Sequence, residues 1–379
     1  VFTHGFPFFI LLSFVLSGFV QVNAQNVIRG PYLQFPTSTS IKIKWRTDVA
    51  TTAKVSYGTS MTGLGNSIST GIPTTEHTIE LFGLNPYTKY YYKIGTATQD
   101  LSGPDSLHYF VTSPTIGTVQ PIRAWVIGDF GKGNSEQAAV RDAFSEFREN
   151  NPTDVWLWLG DNAYDDGTDQ EYQDKVFNVY TDIMKNLPFM PSPGNHDYIS
   201  IAPPWTTSDP PTHNGPYYDI VDVPTNGEIG GVPSGYELYY SFDYGNVHFI
   251  SLNSEIGSLL SSSDDWLGTN PFSTFVTSPM LEWLEDDLIA NDKMWTVVYF
   301  HQPPHTKGSH KSDTFWELYM KAMRENYMPL VEQYGVDLVL GGHSHVYERS
   351  FLIHGHYGDI ASFNPSTMIL DNGSGRFAL

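Results

Sequence analysis

Five clusters of side chains that commonly bind metal ions lie between residues 128 and 345, each directly after an apolar segment. In chain order these clusters are Gly128-Asp129-Phe130-Gly131, Gly160-Asp161-Asn162-Ala163-Tyr164, Gly194-Asn195-His196-Asp197, His301 and Gly342-His343-Ser344-His345. One Gly-Asp pair at a strand end is more often an ordinary turn, and a single His says little more. Repeated along the chain, with Gly where the backbone must turn beside a ligand, the pattern indicates a metal site. Since the chain contains no Cys, oxygen and nitrogen atoms must hold the metal.

The segments before these clusters predict buried strands separated by helices. The strand candidates are Ala124–Ile127, Val155–Leu159, Trp295–Phe300 and Val336–Leu340. Asn134, with Gln137 three residues later, predicts a helix start, and the helix that follows carries Val140, Phe144 and Phe147 on one face. Continuous apolar strands flanked by helices predict an α/β sheet covered on both faces, in which ligands lie beyond the carboxyl ends of the strands.

Residues 26–115 show a different pattern of short alternating segments separated by turns. These segments are Ser40–Trp45, Lys54–Tyr57, Thr78–Leu81 and Lys89–Ile94. Alternation with period two and no helical stretch predicts a small β-sandwich. The run Leu84–Tyr92 resembles the corner of fibronectin type III modules, and nothing in the run is typical of a catalytic residue. A rigid spacer or scaffold is therefore the expected role, with residues 113–118 as a linker.

Charge and the amino-terminal residues limit where this protein works. The formal net charge of −21, with 41 acidic residues against 20 basic ones, argues against nucleic acid or an anionic membrane as a partner. Residues 1–24 contain no acidic side chain, no Lys and no Arg, are largely apolar and end in Val22-Asn23-Ala24, which predicts a cleaved secretory signal peptide. We expect an extracellular or periplasmic protein without stable membrane insertion after cleavage, since the apolar run is short for a membrane anchor. The missing Met and basic region lead us to expect that the sequence starts a few residues late.

The five clusters resemble those of the calcineurin-like metallophosphoesterases and, within them, the purple acid phosphatases. The resemblance covers roughly Pro121 to Glu348, and Tyr164, three positions after Asp161, is its discriminating residue. It implies a two-sheet αββα sandwich in residues 119–379, preceded by the fibronectin III-like sandwich. Related chains usually continue with further strands beyond the position of Gly375–Leu379, so we expect an incomplete carboxyl terminus.

The resemblance also implies a ligand for each of two metal positions. Asp129, Tyr164 and His345 match the ligands of the first metal, and Asn195, His301 and His343 those of the second. Asp161 matches the carboxylate that bridges both metals. Two carboxylates and a phenolate favour a trivalent ion, so we expect Fe(III) at the first position and Zn(II), Mn(II) or Fe(II) at the second.

Hydrolysis of small phosphate monoesters in mildly acid conditions is the function that this resemblance implies. Two ions about 3.5–4 Å apart can clamp an ester while one of them supplies the attacking hydroxide. His196 matches a residue beside the substrate phosphate. His310, nine positions after His301, falls where the family often places a His and is a candidate proton donor, although residues 306–310 have the composition of a mobile loop on which His310 would merely be exposed. Asp197, Glu348 and Arg349 are candidates for orienting ligands.

Other interpretations remain open from the sequence. A phosphodiesterase or nucleotidase would differ in loops such as 201–232, and a non-catalytic protein that binds a surface through its sandwich is a remote alternative. We expect structural roles for four further histidines, which are His213, His248, His354 and His356, and we assign no role to His305. Asn372-Gly373-Ser374 fits a glycosylation acceptor. The natural substrate, the divalent metal and the oligomeric state are not determined by the sequence.

Overall fold

The computed structural model describes residues 25–197, 215–255 and 278–373. Four features considered above lie outside these residues. They are the predicted signal peptide 1–24, positions 201–214 of the loop 201–232 together with His213, Ser374 of the glycosylation motif, and Gly375–Leu379. Among the described residues, none of the helices has the length and apolar character needed to cross a membrane.

The amino-terminal part is an all-β unit with its own apolar core. Its strands are β1 (Val27–Gln34), β2 (Ser40–Gly58), β3 (Asn66–Phe82), β4 (Lys89–Gly95), β5 (Asp100–Ser102) and β6 (Tyr109–Val111). All of their pairings are antiparallel, and the two segments predicted at 40–45 and 54–57 form the single strand β2, whose register against β3 is irregular between Arg46 and Ala53. At the fibronectin-like corner, the hydroxyl of Tyr90 accepts a hydrogen bond of 3.0 Å from the N–H of Asn85.

Two larger sheets and a two-stranded ribbon contain the remaining described strands. Parallel strands β7 (Ala124–Ile127), β8 (Val155–Leu159) and β9 (Phe189–Ser192) make the first sheet. The second contains β10 (Tyr240–Tyr244) antiparallel to β11 (Val247–Ser251), which continues in parallel to β12 (Trp295–Tyr299) and β13 (Leu338–Leu340). A small ribbon pairs β14 (Leu352–Ile353) with β15 (Ile369–Asp371). This arrangement is the mixed α/β fold with two sheets that the sequence predicts.

Short helices connect and cover these strands. They are α1 (Ser135–Asn150), α2 (Asp169–Glu171), α3 (Asn178–Met184), α4 (Pro216–Ile220), α5 (Pro279–Ala290), α6 (Leu318–Ala322), α7 (Met328–Gln333) and α8 (Pro365–Met368), with π-helical turns at Tyr172–Phe177 and Met323–Tyr327 and 3-10 turns at Asn195–Asp197 and Ile360–Ser362. Asn134 caps α1 as predicted, since its side chain accepts from the N–H of Gln137 at 3.0 Å.

The predicted apolar face of α1 is correct only at Phe144. Its ring stacks on Trp125 with a centroid distance of 3.7 Å, whereas Val140 and Phe147 are 48% and 52% exposed. The helix is rotated because polar side chains on its inner face bind the π-helical turn and α3: Gln137 donates to the carbonyl of Lys175 at 2.6 Å.

The part of the fold that follows the amino-terminal unit, from β7 onward, is called the larger unit. One apolar core joins its two main sheets and sets their relative position. Every residue of β8 is buried, as expected for a central parallel strand covered on both faces. Across the sheets, the Tyr240 hydroxyl lies 2.8 Å from the carbonyl of Pro191 and 3.0 Å from the Tyr299 hydroxyl. The Ser192 hydroxyl donates to the carbonyl of Leu252 at 3.0 Å. These contacts hold the ends of β9, β11 and β12 together, where the predicted ligand clusters begin.

Candidate metal centre

The five clusters follow the carboxyl ends of β7, β8, β9, β12 and β13. Four of their side chains belong to residues with left-handed backbone: φ is 57° at Asp129, 50° at Asp161, 66° at His343 and 51° at His345. Positive φ is uncommon for residues other than Gly, and such conformations concentrate at functional sites. These left-handed residues follow β7, β8 and β13, where the backbone turns sharply and directs the four side chains toward a shared space.

The predicted ligands of the first metal lie in contact with one another. The Tyr164 phenol oxygen is 3.0 Å from Asp129 Oδ1, 2.9 Å from Asp161 Oδ2 and 3.0 Å from His345 Nε2. A single phenol proton can serve only one of the two carboxylates at a time. Burial, together with the charges of Asp129 and Asp161, raises the pKa of the Tyr164 phenol, so a phenolate here requires a cation. The set of donors fits a highly charged metal ion.

The two histidines predicted to bind the second metal lie close to Asp161. His301 Nε2 lies 3.3 Å from Asp161 Oδ1 and 3.2 Å from His343 Nδ1. The remaining ring nitrogen of His301 donates to the carbonyl of Leu159 at 2.8 Å, which leaves Nε2 as the ligand atom. Asn195 Oδ1 is buried without a hydrogen-bond partner, as expected of an atom that a metal ion satisfies. Because its two oxygens face different sets, Asp161 is suited to bridge two ions.

Close backbone approach explains two of the glycines in the clusters. A Cβ on Gly160, whose φ is +86°, would lie 2.6 Å from His301 Nδ1. A Cβ on Gly194 would lie 2.3 Å from Asp161 Oδ1. Asp197 then holds the two loops together, since its carboxylate accepts from the N–H of Asn162 at 3.1 Å and of Gly194 at 2.8 Å. Side chains at these glycines would displace ligands directly.

Both predicted catalytic histidines border this site. The N–H of His196 donates to Asp161 Oδ1 at 2.8 Å, and its ring centroid is 4.4 Å from that of Tyr164. The ring of His310 lies 3.9 Å from the ring of His343. The structure therefore brings all nine predicted site residues to one edge of the sheets, with His196 and His310 on its partly exposed side.

Glu317 is a site residue that the sequence interpretation missed. Its Oε1 accepts from His310 Nδ1 at 2.8 Å, and its Oε2 lies 3.7 Å from His343 Nε2. No periodic pattern links it to either residue, so only the fold reveals the contact. The segment predicted as a mobile loop is fastened at Lys307, whose N–H donates to the carboxylate of Glu348 at 3.0 Å.

His248 lies in a separate buried cluster with no described contact to the predicted ligands. Its ring nitrogens lie 2.7 Å from Asp243 and 2.8 Å from Asp287, and the hydroxyl of Ser241 donates to Asp287 at 2.9 Å. These contacts join β10, β11 and α5, which agrees with a structural role. His305 stacks on His356 with a centroid distance of 4.8 Å, also apart from the predicted ligands.

Comparison with known families agrees with the fold and the site geometry. A family described as calcineurin-like phosphoesterase matches residues 122–347, and one described as the N-terminal domain of purple acid phosphatase matches residues 28–113. The chain therefore belongs to the calcineurin-like phosphoesterase family. The amino-terminal match and the names of its relatives, given below, associate it more narrowly with the purple acid phosphatases, as its sequence predicts.

Curated relatives carry acid phosphatase names. Purple acid phosphatase 15 of Arabidopsis thaliana is 27% identical over an alignment that covers 79% of this chain and 54% of the relative. Acid phosphatase A of Cryphonectria parasitica is 25% identical over an alignment that covers 89% of this chain and 78% of the relative. The chain spans little more than half the length of the first of these relatives. The solved structure of PhoD is 16% identical to this chain and matches it with a TM-score of 0.57. The match covers 82% of this chain and 70% of the PhoD chain, and it shows that the two share a fold.

Proposed function

We propose that this chain is a secreted acid phosphatase that hydrolyses phosphate monoesters at a binuclear metal centre. In this proposal residues 1–24 are removed on export, residues 26–115 form the amino-terminal sandwich, and residues 119–379 form the catalytic domain. The observation that carries the proposal is the position of Asp161, whose two carboxylate oxygens lie 2.9 Å from Tyr164 and 3.3 Å from His301. Family membership and the names of the relatives support it.

Each ion would have a distinct set of ligands. Asp129, Tyr164 and His345 would hold Fe(III), Asn195, His301 and His343 would hold Zn(II), Mn(II) or Fe(II), and Asp161 would contact both. When bound, the two ions would supply the attacking hydroxide and neutralise charge on the phosphoryl oxygens. Asp161 and His301 are buried, whereas His196 and His310 are partly exposed, so a substrate would enter on the side of these two histidines.

His196 and His310 would act on the ester itself. His196 Nδ1 donates to the carbonyl of Asp165 at 2.5 Å, which leaves Nε2 to bind a phosphoryl oxygen. His310 Nδ1 donates to Glu317, which leaves its Nε2 to give a proton to the departing alkoxide. In this role the Glu317 carboxylate would orient the His310 ring through Nδ1.

A visible absorption spectrum combined with metal analysis tests this function. A phenolate bound to Fe(III) absorbs in the visible range, so the iron-loaded chain should be purple or violet, and Tyr164→Phe should remove the band. A colourless protein that is fully loaded with iron would contradict the assignment. Faster hydrolysis of a bis-aryl phosphate than of the matching monoester would favour the phosphodiesterase alternative, and the absence of both bound metal and hydrolysis would favour the non-catalytic one.

A further inference from the structure

Asp169, five residues after Tyr164, binds two arginines of the amino-terminal sandwich. Arg29 on β1 donates from Nη1 to Asp169 Oδ1 at 2.9 Å and from Nη2 to the Asp169 carbonyl at 3.0 Å. Arg46 on β2 donates to both carboxylate oxygens of Asp169, at 2.6 Å and 2.9 Å. The Arg29 side chain is 1% exposed and lies over the ring of Phe177 at 4.7 Å. Such paired, charged hydrogen bonds hold orientation as well as position.

Asp169 is the first residue of α2, and this one-turn helix organises the chain that precedes it. Thr168 caps the helix, and the carboxylate of Glu171 accepts from the backbone N–H groups of residues 165, 166 and 168. Lys175 binds Glu171 at 3.2 Å and donates to the carbonyl of Tyr164. The segment 165–168 is therefore fastened to the same short helix that the two arginines hold.

This segment touches two residues of the proposed site. It begins directly after Tyr164, and the carbonyl of Asp165 accepts from His196 Nδ1 at 2.5 Å. A Cβ on Gly167 would lie 2.7 Å from the carbonyl oxygens of both His196 and Asp197, so the segment packs tightly on the loop after β9. A displacement of α2 would therefore change the position of the Tyr164 phenol and the orientation of the His196 ring.

We propose that Arg29 and Arg46 are positioning residues of the metal centre, which act through Asp169 and α2 on Tyr164 and His196. This inference rests on the proposed function, and it gives the sandwich a role beyond the spacer or scaffold that its sequence favours. The sandwich supplies the charged hydrogen bonds that keep segment 165–168 in place.

A second ion pair between the two units provides a matched control. Asp222 binds Lys44 at 2.9 Å and Lys42 at 3.1 Å, and its N–H donates to the side chain of Gln34 at 2.9 Å. All three of these partners of Asp222 belong to the sandwich. Asp222→Asn therefore removes a charge from the same interface without touching α2 or segment 165–168.

The test compares Asp169→Asn with Asp222→Asn in the full chain. In metal-free protein, hydrogen exchange at the backbone amides of 165, 166 and 168 should become faster on the order of tenfold in Asp169→Asn and stay unchanged in Asp222→Asn. In iron-loaded protein, only Asp169→Asn should shift the visible band and lower kcat, and Asp169→Glu should restore both in part.

Equal exchange at these amides in both variants, or an unshifted band in Asp169→Asn, would overturn the inference. If Asp169→Asn fails to fold, Arg46→Met removes one of the two arginines and should show the same changes at smaller amplitude. Failure of the proposed function has a different signature, because wild type would then lack the band and hydrolysis. Exchange in the metal-free protein still tests the path from Asp169 to segment 165–168 in that case.

Discussion

Replacement of His310 by Ala tests the proposed proton donor most directly. An alkyl phosphate has a poor leaving group that needs a proton, whereas a nitrophenyl phosphate releases its leaving group without help. General acids contribute about 10² to 10⁴ in rate, so His310→Ala should slow an alkyl phosphate by about that factor and the nitrophenyl ester far less. The assay is kcat/KM for both esters at matched metal content.

Glu317→Gln is a milder test of the same proton donor, because it keeps His310 and changes only the acceptor that His310 binds. The Gln side chain keeps an acceptor within reach of His310 Nδ1, which lies 2.8 Å from Glu317 in the wild-type chain, but removes the negative charge from that acceptor. Hydrogen bonds to charged groups contribute about 1.5–3 kcal/mol. The side chains of His310 and Glu317 are 38% and 18% exposed, so solvent screening moves the effect toward the lower of these values. Glu317→Gln should therefore slow hydrolysis of the alkyl ester roughly tenfold.

The pair of variants separates three roles for His310. Equal slowing of both esters by His310→Ala, with normal metal content, would mean that His310 positions phosphate and donates no proton. No slowing of either ester would make it a bystander and leave His196 as the better candidate. Loss of metal in Glu317→Gln would show that Glu317 acts chiefly on His343, 3.7 Å away. It would also refute the smaller rate effect expected for this variant through His310.

Two other predictions follow from particular contacts. Asp161→Ala should lower metal content at both positions and Asn195→Ala chiefly that of the divalent ion, and equal losses in the two variants, measured by elemental analysis, would refute the bridging role. Burial lowers the pKa of His248, but hydrogen bonds to Asp243 and Asp287 outweigh it and raise the pKa from 6.5 to about 9. The resulting stabilisation, up to about 3 kcal/mol, is full below the unfolded pKa and is lost as pH rises through about 9. Urea unfolding of wild type and His248→Gln should therefore converge at high pH, and a gap that does not narrow would contradict this.

The strand ends could be predicted because each combines two signals that are local in sequence. The apolar run Val155–Leu159 and the adjacent Asp161 lie within a few residues, and the carboxyl ends of parallel strands must meet at one edge. Contacts that depend on tertiary packing left no such signal. Glu317 reaches His310 from a segment without periodicity, and Val140 is exposed because Gln137 and its partners set the rotation of α1.

The same distinction applies to the amino-terminal sandwich. Alternation in Ser40–Trp45 predicts a strand, but it does not show that Arg46 extends from that strand to Asp169 of the other unit. Charged side chains on a sandwich surface normally indicate only contact with water, so a spacer is the natural interpretation of the sequence alone. What changes this interpretation is burial: an arginine with 1% side-chain exposure, as at Arg29, needs partners for its charge, and the carboxylate and carbonyl of Asp169 provide them. Since Asp169 lies five residues after Tyr164, the two units share this contact at the edge of the metal centre.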